Sequence, residues 1–348
     1  MRWWRTGAVA AGTIGAAGAV TVAAGAAAYW AWRRRPGSFS LRDRAVLITG
    51  GTRGLGFAMA REFLAHGARL ALCSRSRQEC DSAQDQLAPF GEVFTYACDL
   101  RRRGELAAMA DAVRHRYGFL DVLVNNAGVM HVGPWEQMTE DDYAEALDVH
   151  LWAPLRLSRY FLPAMQARGQ GRIVNISSIG GIVPVPHMLP YTLSKFALTG
   201  MTEGLRAEAY RHGVRVTLVC PWLTRTGSQE NAQFKGRHRQ EFAWFALSGS
   251  SPVIAQNPEH AARQIVAACR RGRAVLVLGL PGKAAALLHG IAPGLVADLM
   301  AQANRWLPKP AAQGERARAG AESYNRITER LVRPRVRRDK ARYNQPAA

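Results

Sequence analysis

Short, almost uninterrupted apolar runs alternate with stretches of helical pattern through most of this chain, and few architectures satisfy that rhythm. The runs are Ala45–Thr49, Leu70–Cys73, Val93–Ala97, Val122–Asn125, Ile173–Ile176, Val214–Val219 and Val275–Leu278. Helical patterns such as Phe57–His66 and Leu106–Tyr117 stand between them. A strand that is apolar on both alternating faces leaves no side for water. These strands therefore predict an α/β fold, a doubly wound parallel sheet with helices on both faces. With 348 residues, nearly half of them hydrophobic, the chain has ample material for such a core.

Four segments fall outside the alternation. From Thr6 to Trp32 there are 27 residues without a charge, bordered by Arg2 and Arg5 and by Arg33–Arg34–Arg35. That length spans a bilayer as a helix, and Trp3, Trp4, Tyr29, Trp30 and Trp32 sit where interfacial aromatics belong. An anchor, a cleaved signal peptide and an Ala-rich leader compete for this segment, and the length and aromatic borders favour the anchor. The excess of Arg after the span places the bulk of the chain in the cytoplasm by the positive-inside rule. The expected organisation is a transmembrane anchor over 1–36 and a catalytic domain over 37–280, with a mobile lid at about 227–257. A helical extension over 281–310, broken at Pro293–Gly294, and a mobile basic tail over 311–348 complete it.

The net charge of +20 suggests a nucleic-acid binder, but its distribution argues against one. The first 36 residues carry five Arg and no acid, and the last 38 carry ten basic and four acidic residues. The body is only mildly basic and shows no helix-turn-helix, zinc-finger or aromatic RNA-binding signature. Basic ends beside an anionic surface, and no nucleic-acid partner, are the expectation. Five cysteines without a CxxC pair point to a reducing compartment, and nine dispersed histidines to no metal site.

The chemistry begins at the end of the first run, in Thr49-Gly50-Gly51-Thr52-Arg53-Gly54-Leu55-Gly56. Glycines there let the backbone turn tightly and approach a pyrophosphate at a helix N-terminus. The second run ends Leu72-Cys73-Ser74-Arg75, with no acid to accept a ribose 2′-hydroxyl. Arg75 and Arg53 offer guanidinium groups for a 2′-phosphate, which favours NADP(H). Further along stand Asn125-Asn126-Ala127-Gly128, Ser177-Ser178, Tyr191-Thr192-Leu193-Ser194-Lys195 and Pro221-Trp222-Leu223-Thr224-Arg225-Thr226. Tyr191 and Lys195 lie four apart and share a helix face. An ammonium beside the phenol favours its ionised form, so Tyr191 is the expected proton donor or acceptor. The Ser178 hydroxyl is placed to hydrogen-bond the same substrate oxygen.

In this order and spacing the motifs resemble the short-chain dehydrogenase/reductase family over about residues 40–280. The resemblance implies a Rossmann-like fold and reversible hydride transfer between a nicotinamide cofactor and a carbonyl or alcohol. It implies Ser178, Tyr191 and Lys195 as catalytic residues. It implies cofactor contacts from Gly50, Thr52, Arg53, Leu55, Gly56, Arg75, Asp99, Leu100, Asn126, Ala127, Gly128, Tyr191, Lys195, Pro221, Thr224 and Thr226. Within that set Lys195 belongs on the nicotinamide ribose, Asn126–Gly128 beside the adenine-side ribose, Asp99 at the adenine and Thr224–Thr226 near the carboxamide. Relatives often form dimers or tetramers, so a homo-oligomer is an open expectation.

Two positions depart from the family pattern. His150 stands where an Asn that helps hold a lysine-linked water is usual, and is either a substitute relay or a satisfied core residue. Trp222 replaces a Gly and brings a large ring near the nicotinamide. Ile179, Ile182, Val183, Val185, Met188, Leu189, Trp222 and the Phe242–Phe245 cluster predict an apolar carbonyl site, hence a lipophilic carbonyl or alcohol substrate. A tethered NADP(H)-binding sensor with little turnover is the alternative.

Overall fold

The structure, a computed structural model, describes residues 38–251, 255–311 and 316–345. Its first half runs β1 (Ala45–Thr49), α1 (Gly54–Ala65), β2 (Arg69–Ser74), α2 (Arg77–Leu87), β3 (Val93–Ala97), α3 (Arg103–Tyr117) and β4 (Val122–Asn125). Then come β5 (His131–Val132), α4 (Glu140–Leu147), α5 (Ala153–Ala167), β6 (Gly171–Ile176), α6 (Leu189–Ala209) and β7 (Val214–Cys220). The remainder is β8 (Gln233–Phe234), α7 (His238–Ser250), α8 (Pro258–Arg271), β9 (Val275–Val277), α9 (Leu280–Ile291) and α10 (Pro293–Asn304). It closes with β10 (Arg318–Ala319), α11 (Arg326–Leu331) and α12 (Arg333–Arg342).

All seven apolar runs are strands of one parallel sheet, in the order β3-β2-β1-β4-β6-β7-β9. Alternation along β1 divides the core. Val46 and Ile48 pack with α1 and α8 on one face, while Ala45 and Leu47 pack with α3 and α5 on the other. The order reverses between β1 and β4, and the crevice at the strands' carboxyl ends there is where such sheets take ligands.

The stretch expected to be a mobile lid supplies β8 and α7 and builds a third core. Phe234 and Phe242 are fully buried in it, at an edge-to-face ring distance of 5.4 Å, and β8 pairs with β5 and β10 in a small second sheet.

The described stretch of the basic tail, residues 316–345, is folded where mobility was expected. Val332 and Val336, four apart among the arginines, are fully buried against the Phe242 cluster, and Tyr343 joins the core beside α1. Composition hid this, because three apolar residues at helical spacing suffice to seat a short helix whose other faces are charged. Residues 281–310 break at the expected proline into α9 and α10, yet within these helices only Gly282 and Val296 are buried. No helix of the described residues is long and apolar enough to cross a membrane, and the Thr6–Trp32 segment lies outside them.

Candidate active site

The turn after β1 is fastened by the exit of β4. Thr49 Oγ1 accepts hydrogen bonds from the amides of Asn126 (2.9 Å) and Ala127 (3.1 Å), and Asn126 Nδ2 donates to the carbonyls of Thr49 and Gly50 (both 3.0 Å). Gly56 is dictated by space, since a Cβ there would lie 2.1 Å from the Gly50 carbonyl oxygen. Asn126 thus spends its amide on shaping the turn.

The arginine corner is less open than its sequence suggests. Arg53 lies 3.4 Å from Glu79, whose carboxylate also accepts from Ser74 Oγ (2.6 Å) and Thr52 Oγ1 (3.3 Å). Arg75 lies 4.0 Å from Glu145, which Arg101 holds at 2.7 Å, and Arg101 also pairs with Asp99 at 2.7 Å. The acid missing from the end of β2 is supplied by α2. Nothing at the strand end signals a carboxylate five residues downstream returning to the corner.

Ser178 stands two residues beyond β6, and its Oγ accepts from the Gly180 amide at 3.0 Å. Ser177 Oγ meanwhile donates to the Lys195 carbonyl (3.1 Å), locking the first turns of α6 beside it. Lys195, buried, donates from Nζ to the Ile176 carbonyl at 2.8 Å, and its Nζ stands 5.6 Å from the Tyr191 ring centroid. Burial pushes the Tyr191 phenol up to about 12, with the Ser178 hydrogen bond acting the other way. Burial also drops Lys195 to about 7. The expected lowering of the phenol by the lysine is therefore absent here. Desolvation governs both groups, and neither shifts the other at this separation.

His150 is 1 % exposed, in a π-helical turn (Asp148–Trp152) between α4 and α5. Its Nε2 accepts from the Val129 amide at 3.1 Å, which leaves the ring proton on Nδ1 to be donated to Ser194 Oγ at 2.7 Å. Ser194 Oγ in turn donates to the Tyr191 carbonyl at 2.9 Å. With both nitrogens engaged, the imidazole has no atom left for a water relay to Lys195. It ties the β4 exit to the helix that carries Tyr191, and burial holds it neutral, well below its ordinary pKa.

A single cavity of about 940 Å³ joins these parts. Every residue expected to touch cofactor or substrate oxygen lines it: Gly50, Thr52, Arg53, Leu55 and Gly56 on the turn, Arg75, Asp99 and Leu100, Asn126 to Gly128, His150, Ser178, Tyr191, Lys195, Pro221, Thr224 and Thr226. Of the expected apolar lining, Ile179, Val185, Met188, Trp222, Trp244 and Phe245 are present, whereas Phe242 is a core residue and Ile182, Val183 and Leu189 lie off the cavity. Its walls also include Gln345 and Ala317 from the tail, and His131, Asp142 and Glu145 around a buried Lys235–Asp142 ion pair of 2.5 Å. Sequence reasoning passed over these, because single residues contributed from β5, α4 and the tail share no local spacing that would mark them as one wall. A glycine turn on a helix N-terminus, two guanidinium groups and a cavity of this volume together fit a phosphorylated dinucleotide.

The family model for short chain dehydrogenases matches residues 44–235. A cattle dehydrogenase/reductase, SDR family member 7B, is 32 % identical over 273 residues, covering 76 % of this chain and 82 % of that protein. A short-chain dehydrogenase from Streptomyces avermitilis superimposes with a TM-score of 0.66 at 28 % identity, over 76 % of this chain and 98 % of that one. An actinorhodin polyketide ketoreductase crystallised with NADPH does so at 0.60 and 29 %, over 68 % and 95 %. Fold, motifs and relatives agree that this chain belongs to the short-chain dehydrogenase/reductase family of oxidoreductases.

Proposed function

We propose that the chain is an NADP(H)-dependent oxidoreductase that interconverts a lipophilic carbonyl and its alcohol, with Tyr191 as the acid/base group. The observation that carries this reading is Ser178, Tyr191 and Lys195 on one wall of the cavity that begins at the glycine turn. NADPH, when bound, supplies the hydride that reduction requires. The remaining chemistry belongs to the protein. A phenol held near 12 is protonated at neutral pH, the form that donates to a carbonyl oxygen, so the resting site is poised for reduction. The Ser178 hydroxyl steadies the same oxygen as it gains charge. Lys195, buried beside the phenol, helps to replace the proton.

Arg53 and Arg75 support the choice of NADP(H) over NAD(H), and a relative of the same fold was crystallised with NADPH. Ile179, Val185, Met188, Trp222, Trp244 and Phe245 support an apolar substrate. The uncharged Thr6–Trp32 segment with its aromatic and basic borders supports a single N-terminal span, with the catalytic domain in the cytoplasm. The test is loss of NADPH absorbance when detergent-solubilised, full-length protein meets a panel of lipophilic and hydrophilic carbonyls. Turnover confined to the lipophilic members is expected. NADPH binding without turnover on any member would instead support the sensor reading.

A further inference from the structure

Helices α9 and α10 form a hairpin that the protein leaves bare. Leu280, Leu287, Ile291 and Trp306 are 80, 65, 74 and 88 % exposed, and Leu295 and Leu299 are exposed beside them. By contrast α8, the preceding helix in the chain, buries seven of its fourteen residues, six of them in the core beneath the sheet. Soluble surfaces scatter exposed apolar residues singly; a contiguous run on one projecting element marks a surface meant to be covered.

Charge says by what. Between Lys283 and Asp298 there is no Asp, Glu, Lys or Arg, so the tip of the hairpin, around Ile291 and Pro293, is uncharged. Toward its root stand Lys283 in the first turn of α9 and Arg305 and Lys309 just after α10, while the lone acid, Asp298, lies midway along α10. An uncharged tip about 18 Å from a basic root bearing a tryptophan matches a lipid surface, with acyl chains at the tip and anionic headgroups at the root. The root also rests on the active site. Gly279, at a φ of 77°, lets the chain pass so close to Trp222 that a Cβ there would lie 3.0 Å from the Trp222 Cβ, and Trp222 lines the cavity.

We infer that the α9–α10 hairpin is a membrane-docking element, inserting its tip into the interface of an anionic bilayer and seating the Trp222 wall of the cavity at the lipid surface. It is a second contact, independent of the Thr6–Trp32 segment and of which substrate the cavity takes. The test uses the full chain with Ile291→Cys, labelled with an environment-sensitive fluorophore; the five native cysteines are all buried. A parallel Phe90→Cys label reports an exposed position on α2's flank. Both are reconstituted into vesicles of phosphatidylcholine with phosphatidylglycerol, with and without doxyl-labelled lipid. The expected result is a blue-shifted label at 291 that doxyl lipid quenches several-fold more than the label at 90, with weaker quenching in pure phosphatidylcholine. Equal, water-like behaviour at both positions overturns the inference. So does a shielded label at 291 that doxyl lipid leaves unquenched. Shielding that then disappears on dilution assigns the face to a second copy of the chain, and shielding that persists assigns it to residues 1–37.

Discussion

The amide of Gly54 donates to the carbonyl of Tyr343 at 2.8 Å, so the glycine turn of the cavity is fastened by the far end of the chain. Asn344 Nδ2 donates to the Thr52 carbonyl (2.8 Å) and Gln345 Nε2 to the Thr226 carbonyl (3.2 Å), bracing both sides of the cavity from one short segment. The clasp depends on Val332 and Val336 seating α11 and α12. Val336→Asp places a charge in that apolar contact and is expected to release the clasp. NADPH affinity should fall about tenfold, about 1.4 kcal/mol, with a lowered melting temperature. Fluorescence titration with NADPH checks it, and unchanged affinity contradicts a supporting role for the tail.

His150 is expected to act through position and not through proton transfer. His150→Phe leaves the half-buried Val129 amide without its acceptor, a loss of about 1–3 kcal/mol. That loss should appear in thermal unfolding, and kcat should fall with little change in the pH dependence of turnover. The pH dependence of stability carries the sign. The folded-state pKa is depressed, so below about 6.5 the unfolded chain takes up a proton that the native imidazole refuses. Stability from this group is present above that pH and is lost as pH falls below it. His150→Asn should flatten that part of the curve, and an unchanged slope would show that the imidazole is not held neutral.

At the arginine corner the carboxylates of Glu145 and Glu79 compete with any incoming phosphate for Arg75 and Arg53. Arg75→Asp should weaken NADPH by roughly 10–100-fold, the loss of one charge-assisted contact of about 1.5–3 kcal/mol, and leave NADH nearly unaffected. Glu145→Gln should tighten NADPH, because it releases Arg75 and Arg101 from a shared carboxylate. Paired titrations with the two cofactors read both effects. Equal affinity for NADPH and NADH in the unaltered protein would remove the basis of the cofactor assignment.

The sheet was legible in the sequence because Val46–Ile48 and the matching runs are apolar on both faces, a pattern that only a doubly covered strand explains. The site was legible because Tyr191 and Lys195, Ser178 and the glycine turn each occupy strand ends or a helix face whose period is visible. The His150 contacts were not, because nothing local announces that Val129 and Ser194 will meet an imidazole from a third segment. The tail was hidden by its arginines, which outnumber Val332, Val336 and Tyr343. The phenol's raised pKa depends on how far burial outweighs the Ser178 hydrogen bond, a balance that spacing along a helix does not contain.

Removing the Tyr191 hydroxyl tests the central claim most directly. Tyr191→Phe keeps the ring against His150, at its 5.4 Å edge-on contact, and removes only the proton. Measured against a carbonyl that the unaltered enzyme reduces, kcat should fall by about 10²–10⁴-fold, while NADPH affinity and melting temperature hold. Turnover retained within a few-fold of the unaltered enzyme would contradict Tyr191 as the acid/base group.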